Sequence, residues 1–154
     1  MDISGELIIE APRETVFDRL QNPSLFVSLI DGVQDLQEID ATHYAAIFET
    51  KVAYMRFKFK VTVEVVRITR PYEIVAKIEG TPLGIVGRLS ATTVTTLSEV
   101  AGGTQVKYSI EATIAGKLGS MGQPVLRSKA KEMENQFARN LRAVFEQDTK
   151  GLLA

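Results

Sequence analysis

Apolar residues recur at helical spacing near the C-terminus, and this pattern constrains the fold most strongly. From Pro124 to Gln147 it predicts one amphipathic helix, roughly 36 Å long at about 1.5 Å per residue. The apolar stripe comprises Leu126, Ala130, Met133, Phe137, Leu141 and Val144. Nearly everything before it reads as strand. A lone long helix can then bury its stripe only across a sheet that curls around it.

The clearest strand begins at Met55, where apolar and polar residues alternate strictly up to Val65. Met55, Phe57 and Phe59 are expected to face inward, and Arg56, Lys58 and Lys60 outward, as in an antiparallel sheet with one wet face. Other strands are predicted at 2–10, 33–40, 42–52, 72–78, 85–99 and 104–114, with a bulge near 92–94 and a loop at 80–84.

The predicted fold class is therefore α+β. We expect a seven-stranded antiparallel sheet curled around a long C-terminal helix that begins near Gln123 or Pro124. Two short helices, at 12–20 and 24–29, follow the first strand. Glycines and Pro124 at the start of the long helix predict a loose first turn. A length of 154 residues fits a single domain, 1–154.

The composition excludes several functional classes. The chain has no cysteine, which rules out disulfides, thiolate metal sites and cysteine nucleophiles. A formal net charge of −1 argues against a general nucleic-acid binder. His43 is the only histidine and no carboxylates cluster, so we predict no catalytic residue, metal or cofactor. We also expect no signal peptide, no membrane span of about 20 residues, and a cytoplasmic location.

Several segments, spread over nearly the whole chain, share the order and spacing of a known family. They are Ser4-Gly5 with Ile9-Glu10-Ala11-Pro12, then Glu14, Val16, Phe17 and Leu20; Asn22-Pro23 and Ile30-Asp31-Gly32-Val33; and Gly103-Thr104, Val106, Tyr108 and Gly116-Lys117-Leu118. The chain thereby resembles the carbon monoxide dehydrogenase G-subunit (CoxG) family of the START-like helix-grip (SRPBCC) superfamily, which includes the major birch-pollen allergen. Two residues depart from the family pattern: Asp31 replaces a common proline, and Phe17 a common tryptophan.

The resemblance implies a helix-grip fold and an accessory role in the assembly or membrane attachment of a molybdenum-type carbon monoxide dehydrogenase. An oxidoreductase partner and peripheral membrane contact follow from the same resemblance. Some family members carry a C-terminal membrane-spanning extension. The segment Lys150–Ala154 is too short to span, so we expect no anchoring by that route.

A sheet that grips a straight helix often leaves an apolar cavity between them, and large and small residues mix on the predicted inner faces. We predict that a hydrophobic ligand, such as a lipid or a quinone-like molecule, binds there, with Phe26, Leu29 and Leu83 at the mouth. The full set of predicted ligand-binding residues is Phe26, Leu29, Tyr44, Phe48, Met55, Phe57, Phe59, Leu83, Met121, Met133 and Phe137. The competing interpretation of these residues is ordinary core.

Two other functional classes stay open. A polyketide cyclase-like or dehydratase-like enzyme would need convergent polar groups in the cavity, for which Tyr44, Tyr72, Tyr108 and Asn140 are the candidates. A dry-core interaction module would use the basic strand face of Arg56, Lys58 and Lys60 to bind an acidic partner or an anionic membrane.

Overall fold

A computed structural model describes the backbone of residues 1–153 and the side chains of residues 1–146. The chain forms seven strands, two short helices, one 3₁₀ turn and one long helix. In order they are β1 (Asp2–Ile9), α1 (Arg13–Gln21), α2 (Pro23–Ser28), β2 (Val33–Asp40), β3 (His43–Val52), β4 (Met55–Thr69), β5 (Glu73–Pro82), β6 (Gly87–Val100), β7 (Gly103–Gly116), the 3₁₀ turn (Gly119–Met121) and α3 (Gln123–Leu153).

The seven strands form one antiparallel sheet in the order β1-β7-β6-β5-β4-β3-β2. The long helix α3 contacts β1 at one edge of the sheet and β3 next to the other edge. A straight helix reaches both margins only if the sheet curls around it. The predicted architecture is therefore confirmed, and the predicted start of the helix agrees with α3. The expectation about Lys150–Ala154 concerns side chains outside the described residues. No helix in the described part of the chain is long and apolar enough to cross a membrane.

The alternation along β4 separates its two faces as predicted. Phe57 and Phe59 are buried, whereas Arg56, Lys58 and Lys60 are exposed. The pairing register carries the same parity into β3, where Phe48 lies opposite Phe59. Successive side chains point to opposite faces, so the register fixes the inner face of these strands wherever their pairing is regular.

Two residues predicted to face inward are exposed, and both lie at a strand end. Met55 is 53 % exposed because it is the first residue of β4, beyond the reach of α3. Tyr72 is 51 % exposed because β5 begins only at Glu73. The Tyr72 ring packs instead against the guanidinium of Arg13, 4.4 Å from the ring centroid. The alternation of apolar and polar residues therefore does not predict burial beyond the end of the paired strands.

The predicted bulge at 92–94 is wrong. β6 pairs with both neighbours without a register shift, so its threonines and valines follow regular parity. Register shifts lie elsewhere: in β4 between Val65 and Arg67, and at two points in β2, between Gln34 and Gln37 and between Glu38 and Asp40. The predicted loop at 80–84 is also too long, because β5 continues to Pro82 and the connection to β6 starts at Leu83.

The buried side chains form two separate clusters, one at each end of the sheet. The larger, cluster A, joins β1, α1, α2, the ends of β6 and β7, and the later part of α3: Leu7, Ile9, Val16, Phe17, Leu20, Leu29, Leu97, Val106, Leu141 and Phe145. The smaller, cluster B, contains Val52, Phe57, Phe59 and Leu118, against which Phe48, Val61, Ile85, Ile114, Met121 and Val125 pack. The helix thus packs against the sheet near its start and again around Leu141 and Phe145.

The connection between β7 and α3 is irregular, whereas the loose first turn of α3 itself stays a prediction. A 3₁₀ turn precedes the helix, and Gly116 and Gly122 adopt φ values of +78° and +93°. These left-handed conformations favour glycine because a Cβ would clash with the backbone. Between them, the buried side chain of Leu118 joins the connection to cluster B.

We predict that Phe57→Ala lowers the free energy of unfolding by about 3–5 kcal/mol, because the ring is 5 % exposed within cluster B. The neighbouring Lys58→Ala, on the wet face, is the control and should change stability by less than about 0.5 kcal/mol. Chemical denaturation measures both. A larger loss for Lys58→Ala would contradict the register.

Candidate functional site

The apolar stripe of α3 is buried at its ends and less deeply buried in its middle. Leu126 is 8 % exposed and Leu141 is fully buried. Between them on the same stripe, Ala130, Met133 and Phe137 are half-buried. The middle of α3 is therefore packed less closely against the sheet than the parts around Leu126 and Leu141.

The inner face of the sheet shows the same arrangement. Phe59 at one end and Val106 at the other are buried, but the larger side chains between the clusters are only half-buried. These residues are Val61, Val63, Val65, Ile78 and Ile110. The small side chains of Ala76 and Ala112 are buried. The part of the inner face between the two clusters is therefore apolar and less closely covered than either cluster.

Aromatic rings border this part of the inner face at both ends. Phe48 stacks on Phe59 with ring centroids 6.0 Å apart, and Phe57 lies 6.2 Å from Phe59. At the other end, Phe26 of α2 contacts Phe137 of α3 at 5.6 Å. Such offset and tilted pairs add to the stability of the walls beyond the area that they bury.

The predicted ligand-binding residues divide into three groups. Phe48, Phe57, Phe59 and Met121 belong to or pack against cluster B, and Leu29 and Phe137 belong to or pack against cluster A. Tyr44 and Met133 are half-buried. Phe26, Met55 and Leu83 are 38 %, 53 % and 51 % exposed.

The three residues predicted at the mouth do not lie together. Leu29 is 1 % exposed and is part of the core. Leu83 sits at the far end of β5, where its N–H donates to the carbonyl oxygen of Lys58. Phe26 and Leu83 therefore remain candidates for two different openings.

One polar pair faces this apolar interior, and sequence reasoning missed half of it. Tyr108 of β7 lies on the inner face with its hydroxyl over Gly5, where a Cβ would overlap it. Burial raises the pKa of the Tyr108 phenol, and the negative charge of nearby Glu134 raises it further. Glu134 comes four residues after Ala130 on the stripe, and only 16 % of its side chain is exposed. A glutamate at this position, beside the apolar stripe, was the feature of the sequence that could have indicated the pair.

The Glu134 carboxylate is incompletely satisfied. One oxygen, Oε2, lies 3.6 Å from Nζ of Lys131. The other, Oε1, is buried and has no hydrogen-bond partner among the described residues. A hydrogen bond between Tyr108 and the Glu134 carboxylate also contributes to the raised pKa of the phenol, so the two side chains act as one polar pair.

The other polar candidates serve the fold. The Tyr44 hydroxyl donates to the carbonyl oxygen of Ala41 at 3.0 Å. Burial raises the pKa of Tyr44, and the charges of Glu38 and Asp40 add to this effect. Asn140 Nδ2 donates to the carbonyl oxygen of Leu29 at 2.9 Å and thereby ties α2 to α3.

The single histidine is part of a surface turn. His43 Nδ1 lies 2.8 Å from Asp40 Oδ1, and both side chains are about half exposed. No group of three or more potential metal ligands occurs among the described residues.

Two surface grooves lie outside the region between α3 and the sheet. One, of about 450 Å³, is lined by residues 32–34, 49–51 and Arg56. The other, of about 530 Å³, lies between α2 and the start of β2. Both flank the β2 edge of the sheet and mix polar with apolar groups.

The fold is shared by many solved structures. A conserved protein from Geobacillus kaustophilus superposes with a TM-score of 0.87 at 24 % identity, covering 96 % of each chain. A START superfamily protein from Mycobacterium smegmatis superposes with a TM-score of 0.72 at 10 % identity, covering 95 % of this chain and 97 % of the other. These similarities define a START-like helix-grip fold.

The model of one family, the carbon monoxide dehydrogenase G-subunit (CoxG), matches residues 5–145. The chain belongs to this family. No curated protein matches the chain.

We predict an unusual titration in the turn before β3. The pKa of Asp40 is lowered to about 2, chiefly because the Thr42 backbone N–H donates to its carboxylate and then because of His43. A lowered pKa means that the stabilisation is present above the ordinary pKa of an aspartate and is lost as the pH falls through about 2. His43→Ala removes only the second cause, so the pKa of Asp40 should rise but stay below its ordinary value. NMR titration of the carboxyl group measures this, and an ordinary pKa before substitution would contradict the geometry.

Proposed function

We propose that this protein binds a hydrophobic small molecule, a lipid or a quinone-like compound, between α3 and the inner face of the sheet, without catalysing a reaction. The observation that supports the proposal is the half-buried middle of an apolar stripe whose two ends are buried. The side chains of Met133, Phe137 and Val63 are apolar, so their exposure to water is unfavourable. An apolar ligand that covers them would therefore bind with a favourable free energy.

The residues that line such a site determine which ligands it can distinguish. Apolar walls discriminate poorly among apolar ligands, because a methylene group more or less changes binding only modestly. The Tyr108–Glu134 pair is the polar feature that would orient a ligand's head group. We therefore expect broad tolerance for chain length and a stronger response to the head group.

The biological setting that we propose follows from the family. A CoxG protein is by name a component associated with carbon monoxide dehydrogenase. We infer an accessory role in the assembly or membrane attachment of such an oxidoreductase, with peripheral rather than spanning membrane contact and a cytoplasmic location. In this role the protein would carry an apolar ligand to or from the oxidoreductase.

We predict that a hydrophobic fluorescent probe binds the folded protein at micromolar concentration and is displaced by long-chain lipids or quinones. The physical reason is the transfer of probe surface from water to the apolar lining. Fluorescence titration measures the affinity. Absence of binding to protein that circular dichroism shows to be folded would contradict the proposal.

We predict that Met133→Trp reduces probe binding at little cost in stability. Met133 lies half-buried in the middle of the stripe, so a larger ring would fill space that a ligand uses. In a closely packed core the same change would cost about 1–3 kcal/mol. Thermal melting and probe titration are measured on the same sample.

Leu141→Trp is the matched control, because Leu141 is fully buried on the same stripe and the larger ring should lower the melting temperature strongly. If Met133→Trp melts as early as the control and binding per folded molecule is unchanged, Met133 is ordinary core. An interaction module with a dry core would then be the better description.

A second candidate function is a cyclase-like or dehydratase-like enzyme, which the Tyr108–Glu134 pair favours. A phenol and a carboxylate that meet in an apolar space have the groups needed to move a proton. Assay of polyketide-like substrates with the unsubstituted protein and with Glu134→Gln tests it. Turnover that is lost in the variant would establish this function.

A further inference from the structure

Four large apolar side chains are exposed together at one end of the sheet. Tyr54 and Met55, in the β3–β4 hairpin, are 96 % and 53 % exposed. Leu83 and Val86, in the β5–β6 connection, are 51 % and 84 % exposed. Isolated exposed apolar residues are ordinary, but a cluster on loop tips marks a surface that contacts something apolar.

Hydrogen bonds join these loops into one surface, which we call the hairpin end. The Leu83 N–H donates to the Lys58 carbonyl oxygen at 2.8 Å. The Lys117 N–H donates to the Val86 carbonyl oxygen at 3.0 Å, which adds the connection between β7 and α3. The hairpin end therefore comprises residues 53–56, 83–86 and 116–122, held on rigid strand ends.

The parts of the chain nearest this end carry positive charge only. Residues 50–60, 80–90 and 112–123 contain six basic and no acidic residues, although the whole chain has a formal net charge of −1. Two acidic residues border them, Glu49 opposite Lys58 in the ladder and Glu79 beside Arg88. The hairpin end is therefore locally positive.

Several of these cations have no ionic partner among the described side chains. Lys51 lies directly opposite Arg56 in the β3–β4 ladder, a like-charged pair that repels itself. Lys51, Arg56 and Lys117 form no ion pair with a described carboxylate. Arg88 differs, since Glu79 Oε2 lies 3.0 Å from its Nε. Unpaired cations beside exposed apolar side chains favour a binding partner that is negatively charged and also offers apolar contacts.

We propose that the hairpin end docks on an anionic lipid bilayer, with Tyr54 and Val86 entering the interface and Lys51, Arg56 and Lys117 lying at the head groups. Tyrosine favours the membrane interface because its ring is apolar and its hydroxyl is wet. Each nearby lysine or arginine adds electrostatic attraction to an anionic leaflet. A bilayer meets both requirements at once, since it is charged at its surface and apolar directly beneath.

The absence of tryptophan from the chain supplies a direct test. Tyr54→Trp gives a single reporter at the hairpin end, and Ile39→Trp, on the 63 % exposed Ile39 of β2, gives a matched reporter elsewhere. With vesicles containing about one third phosphatidylglycerol, the emission of Tyr54→Trp should shift to the blue, and brominated lipids should quench it. Ile39→Trp should change little.

Vesicle flotation separates the two contributions. In the otherwise unsubstituted protein, Lys51→Gln with Arg56→Gln should weaken binding roughly fivefold for each charge removed at low salt. Tyr54→Ser with Val86→Ser should weaken it at all salt concentrations. Lys77→Gln with Lys107→Gln, which removes two exposed cations from other parts of the sheet, should have less effect than the Lys51 and Arg56 pair.

Equal binding to pure phosphatidylcholine vesicles, or an equal shift in both tryptophan variants, would overturn the proposal. Binding of soluble polyglutamate as tightly as vesicles, without a blue shift for Tyr54→Trp, would show that the partner is an acidic protein instead. These measurements use no ligand. Membrane binding by the hairpin end and probe binding beneath α3 can therefore be confirmed or contradicted independently of each other.

Discussion

The architecture depends on how one long helix is attached to a curling sheet. The helix is fastened by Leu118 and Val125 near its start and by Leu141 and Phe145 further along, and these contacts belong to separate clusters. A straight cylinder and a curved sheet cannot remain in contact along their full length. Burial is therefore concentrated at two places, and the looser packing between them follows from the geometry of the fold.

Glu134 indicates that this looser packing is not merely an imperfection. A carboxylate on the buried side of a helix costs stability, and an apolar residue would pack there at no such cost. Gly5 on the opposite strand lies where any side chain would displace the Tyr108 hydroxyl. Gly5 leaves room for the phenol, and Glu134 lies close enough to raise its pKa. Apolar packing alone does not explain this pair of residues.

The fold was largely predictable because strand parity and helical spacing repeat over many residues. The alternation along β4 fixed the inner face, and the register carried it across the sheet. Prediction failed where repetition ends: Met55 and Tyr72 lie at strand limits, and the bulge depends on pairing that no local pattern records. The site was only partly predictable. Glu134 was visible as an interruption of the stripe, but its meeting with Tyr108 depends on the packing of α3 across β7.

The uneven distribution of charge affects how the protein approaches a charged surface, although its net charge is close to zero. Because the hairpin end carries basic and no acidic residues while the net charge of the chain is −1, the charge of the molecule is unevenly distributed, and the amino-terminal end of α3 adds positive charge. Near a negatively charged surface such a molecule experiences a torque as well as an attraction. It turns within about one Debye length, ~8 Å at physiological salt, before any side chain makes contact. Encounters therefore become productive more often than those of an evenly charged protein of the same net charge.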